Sequence, residues 1–257
     1  AASLGEDHRD FAVLLQQESE VAQQQNDLGR AARALKKCVA IRKQTLKPDD
    51  PRLRGTIEEW IDVCVEGCWR QLLQPDFADQ RDALQRAIDE SQKLLTPTAP
   101  IVRRGSVLSK ELTQVALLDA TSRRRLQGIR QRSRMVTEPG QSEPADQQLR
   151  RFDQLEKDRL TVEQLLSETT PLWVDVTVAV ARLAEESGEL EPATGLWTLA
   201  VIALDALYGG HSQTHAAAAE VSRLLRSQAR SLFAQGEWDD ALTLLETHQQ
   251  QFGRIFG

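Results

Sequence analysis

The chain has 257 residues, which is long enough for one large domain, two ordinary domains or a repeat array. Hydrophobic residues make up 40% and charged residues 27%, as in an average folded domain, and a net charge of −6 gives no general attraction to nucleic acid. Aromatic residues contribute only 5%, whereas Ala, Leu, Gln, Arg and Glu are abundant. Because these residues favour helices over strands, the composition predicts an all-α fold.

Membrane and export signals are not visible in the sequence. No run reaches 18 apolar residues, and no charged region followed by an apolar one marks a signal peptide. The three cysteines, Cys38, Cys64 and Cys68, are too few and too scattered for a disulfide framework. We therefore expect no membrane partner, a reducing compartment and a cytoplasmic location.

Helix-length apolar patterns alternate with turn signals along the chain. Asn26-Asp27 separates two such patterns, and the second closes in LKKCVAIRKQTLKPDDP at residues 35–51. Residues 84–100 repeat that ending as LQRAIDESQKLLTPTAP, 49 residues further on, and residues 155–171 repeat it again. Further turns are marked by Gly188 and Gly236. Helix, tight turn, helix and loop recur, so the pattern predicts a series of helical hairpins.

The spacing of these hairpins suggests a single array over residues 1–257. The hairpins close at Arg9, Pro51, Pro100, Pro171 and near Gln213, at intervals of 42, 49, 71 and 42 residues. The long third interval implies an insertion at about 121–146. The predicted units are about 1–51, 52–100, 101–171, 172–213 and 214–257.

The first unit carries a family resemblance. LGEDHRDFAVLL, followed by QQNDLGRAARALKKCVAIRKQTLKPDDP, resembles the 42-residue tetratricopeptide repeat of the kinesin-light-chain type. The match rests on the turn at 26–28, on the small residues Ala31 and Cys38, and on the loop at 46–51. The turns at Gly188 and Gly236 begin similar patterns. The resemblance implies a right-handed α-solenoid of helix-turn-helix hairpins, with a concave face that binds peptides.

Residues for catalysis or metal binding are sparse. The sequence shows no HExxH, Walker A, GxSxG or CxxC motif, so we expect no enzyme, no metal and no cofactor. His211 lies in an inter-repeat loop, where it is expected to cap a helix or pack locally. Cys64 and Cys68 are four residues apart on one predicted helix, but zinc needs four ligands, so we interpret both as core residues.

The first helix of each hairpin supplies candidate partner contacts. Aligning these helices on their turns gives eight residues: Gln16, Glu20, Gln23, Asp62, Trp69, Arg223, Arg226 and Arg230. The three arginines share one helix face, where they could hold carboxylates in paired hydrogen bonds, which would suit an acidic partner. A solvated face is the alternative. Trp69 and Phe233 are candidate apolar anchors.

The stretch SRRRLQGIRQRSR at residues 122–134 has six arginines and no acid. It lies in the predicted insertion, before the linker-like TEPGQSEPAD at 137–146. Three interpretations stay open: a solvated helix that folds back on acidic surface, a protein-binding element, and a nucleic-acid contact. No aromatic residue lies between Phe77 and Phe152 to stack on bases, which disfavours the last. The candidate anion contacts are Arg123, Arg124, Arg125 and Arg130.

Three functions are compatible with this sequence. The first is a non-catalytic protein-interaction scaffold that binds a peptide or an adjacent domain through its concave face or the arginine-rich insertion. The second is a regulatory segment of a larger signalling protein with a kinase, caspase-like protease or NTPase, because the chain opens as if inside a repeat. The third is a nucleic-acid binder using residues 122–134. Hairpins without polar capping helices also suggest association through the array ends.

Overall fold

The computed structural model describes residues 9–96, 98–136, 145–166 and 169–256, and within these ranges every regular element is an α-helix. The prediction of an all-α fold is confirmed. The helices are α1 (Arg9–Gln24), α2 (Leu28–Thr45), α3 (Pro51–Arg70), α4 (Phe77–Leu94), α5 (Pro100–Leu117), α6 (Ala120–Val136), α7 (Ala145–Leu165), α8 (Pro171–Glu186), α9 (Leu190–Tyr208), α10 (Ser212–Gln235) and α11 (Trp238–Phe256).

Local chemistry places the helix starts. Helices α3, α5 and α8 each begin with a proline, whose fixed φ suits the first helical position and whose missing N–H costs nothing there. Asp27 caps α2 by accepting a hydrogen bond from the Arg30 N–H at 2.9 Å. Thr170 caps α8 in the same way, from the Trp173 N–H at 3.3 Å. The division of the array into five units stays a prediction.

The chain divides into two compact units, residues 1–124 and 125–257. In unit 1, α1 packs with α2, α2 with α3, α3 with α4, and α5 lies against both α3 and α4. Leu35, Ile57 and Leu84 are fully buried in its core. Gly105 permits the close approach of α5, because a Cβ there would lie 3.2 Å from side-chain carbons of Ile61 and Ile88.

Unit 2 stacks its helices in the same manner. The described contacts join α7 to α8, α8 to α9, α9 to α10 and α10 to α11. Small residues such as Ala179 and Ala200 are fully buried between helices, and the larger Trp197 fills the remaining space at 4% exposure. In both units the second helix of a hairpin packs on the first helix of the next, which confirms the predicted solenoid of helical repeats.

Helix α9 is strongly apolar. Among the described helices it alone has the length and composition of a membrane span, and 39% of that window is buried. Its side chains Ala193, Trp197 and Leu204 lie in the core of unit 2, against the neighbouring α8 and α10. A helix that packs in the core of a folded unit also has this apolar composition. Packing of α9 against α8 and α10 therefore accounts for its apolar residues.

The turn between α10 and α11 depends on a glycine. Gly236 has φ 83° and ψ 9°, a left-handed conformation, and its N–H donates back to the Leu232 and Phe233 carbonyls. We expect Gly236→Ala to lower the free energy of unfolding by about 1 kcal/mol. The control is Gly195→Ala inside α9, where a Cβ meets nothing within 4 Å, and where alanine should instead add about 0.5–1 kcal/mol. Urea titration measures both, and equal effects would contradict this role for Gly236.

Candidate functional site

The predicted residues of α1 take part in a polar network inside unit 1. The side-chain amides of Gln16 and Gln23 donate to the two carboxylate oxygens of Glu59 in α3, at 3.5 and 3.1 Å. Arg42 of α2 donates to the Gln16 oxygen at 2.7 Å and also to Thr56. Gln16 and Gln23 therefore tie α1 to α2 and α3, and the side-chain amides of both are engaged within unit 1.

Glu59 is a functional candidate that the sequence did not suggest. Burial raises the pKa of its carboxyl above the usual value, and the nearby charges of Glu20 and Asp62 raise it further. The hydrogen bond from Gln23 and the charge of Arg42 act in the opposite direction. The only sequence signal was its spacing of 43 residues from Gln16, which is close to one repeat length.

The other predicted residues of α3 behave differently from one another. Asp62 pairs with Arg104 of α5 at 2.7 Å, and the same guanidinium lies 3.8 Å from Glu58. The prediction that Trp69 contacts a partner needs correction, because its side chain is only 2% exposed. Helix α3 is covered by α2, α4 and α5, so its indole is part of the core of unit 1.

Helix α6 contains the arginine-rich stretch and is amphipathic. Leu126, Ile129 and Val136 form a buried apolar stripe along it at helical spacing. Asp119 precedes the helix and accepts hydrogen bonds from the Thr121 and Ser122 N–H groups and from the Ser122 hydroxyl, which lower the pKa of its carboxyl. Most of the predicted linker, residues 137–144, lies outside the described residues.

Several of these arginines are occupied within the chain. In unit 2, Arg132 makes two hydrogen bonds to Asp158 of α7, at 2.7 and 2.9 Å, and Arg125 donates to Thr161 at 2.8 Å. In unit 1, Arg123 donates to the Leu72 carbonyl at 3.5 Å. Arg130 is only 9% exposed, so the prediction that it contacts an anion at the surface needs correction. Of the four candidates in this stretch, Arg124 and Arg125 are exposed.

The arginines of α10 are arranged differently. Arg223, Arg226 and Arg230 are all exposed and lie along one face of the helix. Arg223 pairs with Glu220 at 2.7 Å and with Glu185 of α8, and these hydrogen bonds raise the pKa of its guanidinium. Within the described part of the chain, Arg226 and Arg230 form no ion pair, and Arg226 donates only to the Ser222 carbonyl at 3.0 Å.

The surroundings of this arginine row favour access. Four exposed neighbours on the same side of α10 are small, namely Ala216, Ala219, Ser227 and Ala234, and the larger exposed His215 lies about two turns before Arg223. Small side chains leave both faces of a guanidinium open, so a carboxylate can approach in the plane that allows two parallel hydrogen bonds. Phe233 lies one turn beyond Arg230, half-buried, with its ring 5.3 Å from that of Trp238.

The histidine and cysteine residues have structural roles in the described part. His211 is 2% exposed and accepts a hydrogen bond from the Gln213 N–H at 3.2 Å, so it caps α10 as expected. Its ring meets that of Tyr208 edge-on, with centroids 5.7 Å apart. No group of three potential metal ligands occurs among the described residues, and Cys64 and Cys68 lie buried in α3.

The thiols should be unreactive in the folded chain. Burial raises the pKa of Cys64 and of Cys68 to about 12, and it raises that of Cys38 as well. Because the thiolate is the reactive form, we expect a thiol reagent at neutral pH to modify none of the three in native protein and all three in denaturant. Mass spectrometry after brief alkylation measures this. Rapid native modification would mean that α2, for Cys38, or α3, for Cys64 and Cys68, is not buried as described.

Part of the chain matches a known protein family. Residues 19–52 match the model of the tetratricopeptide repeat, and they cover the end of α1, all of α2 and the start of α3. Comparison with curated proteins finds no match for the chain. The predicted resemblance to the tetratricopeptide repeat is therefore confirmed over residues 19–52.

Proposed function

We propose that unit 2 binds an acidic peptide segment of a partner protein through the arginine row of α10, which is Arg223, Arg226 and Arg230. The match of residues 19–52 to the tetratricopeptide repeat supports this, because repeats of this family mediate protein–protein interaction and are typically not catalytic.

The observation that carries this proposal is the contrast between the candidate faces. In unit 1 the polar side chains of α1 and α3 are joined to one another, and in α6 Arg132 and Arg125 bind groups of unit 2 itself. Arg226 and Arg230 are exposed and form no ion pair among the described residues. Two positive charges, placed four residues apart on a rigid helix, therefore favour an anionic ligand.

The energetics of such a site would come from a few contacts. A hydrogen bond to a charged group contributes about 1.5–3 kcal/mol, so two arginines that each bind a carboxylate supply about 3–6 kcal/mol before the cost of ordering the peptide. Phe233 and Trp238 offer apolar surface one turn further along the same side of unit 2. An apolar residue in the peptide, one turn from its acids, would use that surface.

The test is a titration with two labelled peptides of equal length. The first carries several Glu and Asp residues beside one Leu, and the second carries Lys at each acidic position. We expect fluorescence anisotropy to show saturable binding of the acidic peptide only, weakening as salt is added because the contacts are charged. Equal binding of both peptides, or binding of neither, would overturn the proposal.

A further inference from the structure

Two helix faces expose apolar side chains that no described helix covers. On α1, Leu14 is 55% exposed and Val21 is 47% exposed, and they lie two turns apart on one side. On α11, Trp238 is 61% exposed and Leu242 is 52% exposed, one turn apart. Glu18 lies between Leu14 and Val21 on the same side of α1 and pairs with Arg30 of α2 at 2.9 Å, so this face carries two apolar side chains around one paired acid. Exposed apolar residues that share a helix face commonly mark an interaction surface.

The packing inside each unit shows what kind of contact would cover these faces. The second helix of a hairpin packs on the first helix of the following hairpin, as α2 does on α3 in unit 1 and α9 on α10 in unit 2. Helix α11 is the second helix of its hairpin, and α1 is the first helix of its own. The exposed side of α11 that carries Trp238 and Leu242 is therefore suited to pack on the exposed side of α1 that carries Leu14 and Val21.

The charges beside the two faces are complementary. On α2, next to α1, Arg33 and Lys37 are exposed and form no ion pair among the described residues. On α11, Asp239 and Glu246 are exposed on the side of Leu242, and the described side chains of this helix include no base. A basic edge beside one apolar face and an acidic edge beside the other would fix the orientation of a contact between them.

We propose that a second copy of this chain docks the outer face of its α11 onto α1 and the adjoining edge of α2. The apolar contact joins Trp238 and Leu242 of one copy to Leu14 and Val21 of the other. The acids of α11 then lie beside Arg33 and Lys37. Such a contact is heterologous, since each copy uses two different faces, so association can continue beyond two copies.

The first test uses complementation between two blocked variants, followed by sedimentation velocity over a concentration series. Leu14→Glu with Val21→Glu blocks the α1 face, and Leu242→Glu blocks the α11 face. We expect the parent chain to grow in mass with concentration, and each variant alone to associate at least tenfold more weakly. An equimolar mixture of the two variants should form a 1:1 pair and stop there, because only one intact face of each kind is left.

The second test exchanges the charges. Arg33→Glu with Lys37→Glu should weaken association, as should Asp239→Lys with Glu246→Lys, and the chain carrying all four changes should recover it. The control is Leu199→Glu with Ile202→Glu, which places two charges at exposed apolar positions of α9, a helix that the proposed contact does not use, and should leave the mass unchanged. Circular dichroism checks that every variant stays helical.

Three results would overturn the proposal. The parent chain could stay monomeric at the highest concentration reached. The blocked variants could associate as the parent does. Either blocked variant could form dimers by itself, and mixing the two variants could leave the amount of dimer unchanged. That result would indicate a contact between identical faces. Trp238 belongs to both proposed sites, but none of the test variants changes it and the arginines of α10 lie outside these faces, so peptide binding and association between copies are tested separately.

Discussion

Reversing the charge of Arg226 and Arg230 together is expected to weaken the binding of an acidic peptide by about 100-fold. Each arginine that loses a charged hydrogen bond costs about 1.5 kcal/mol, and two such losses make about 3 kcal/mol, with tenfold in affinity for every 1.4 kcal/mol. Glutamates at these positions also repel the ligand. Anisotropy titration of Arg226→Glu with Arg230→Glu measures the loss directly.

The matched control for this prediction reverses two other exposed arginines. Arg124 lies on α6 and Arg150 on α7, so Arg124→Glu with Arg150→Glu changes the net charge by the same amount without touching α10. We expect its affinity to stay within about twofold of the parent, because neither arginine lies on α10 and moderate salt screens the long-range effect of an exposed charge. If both double variants lost affinity equally, the attraction would be a property of the net charge.

Removing the Arg132 side chain is expected to lower the free energy of unfolding by about 2 kcal/mol. Its two hydrogen bonds hold the Asp158 carboxylate, whose side chain is only 4% exposed, and an unpaired buried charge is costly. The effect should fall below the usual 3–5 kcal/mol for a broken buried pair. Arg132 is itself 39% exposed, and Gln154 still donates to Asp158 at 3.0 Å.

Chemical denaturation followed by circular dichroism measures this difference between Arg132→Ala and the parent. The control is Arg124→Ala on the same helix, where an exposed side chain is lost and the change should stay within about 0.5 kcal/mol. Equal stabilities of the two variants would mean that the arginine-rich helix is not held to α7 by this pair. The sequence alone left that question open.

The helix pattern could be predicted because it depends on local signals. Proline at Pro51, Pro100 and Pro171 can begin a helix but cannot continue one, and helices begin at all three. At Gly188 and Gly236 the backbone has positive φ, which few other residues adopt at low cost, and both lie in turns between helices. Signals of this kind act within one or two turns of chain, so no tertiary information was needed.

The candidate site was harder to predict, because side-chain partners depend on packing between helices. Trp69 was chosen by its position relative to a turn, yet α4 and α5 cover α3 so fully that the indole is buried. Arg130 is buried for a similar reason, since α6 is amphipathic and packs through its apolar stripe. Charge and spacing placed the arginines of α10 on one helix face, but they could not show which of them is already paired.

Hydrogen–deuterium exchange of the full chain, with and without the acidic peptide, would locate the binding site along the sequence. We expect the peptide to slow exchange mainly in α10 and in the facing part of α8, and to leave α6 unchanged, because Arg223, Arg226 and Arg230 would hold the ligand. Protection centred on α6, or on α1 and α3, would mean that the peptide binds elsewhere in the chain and not at the arginine row.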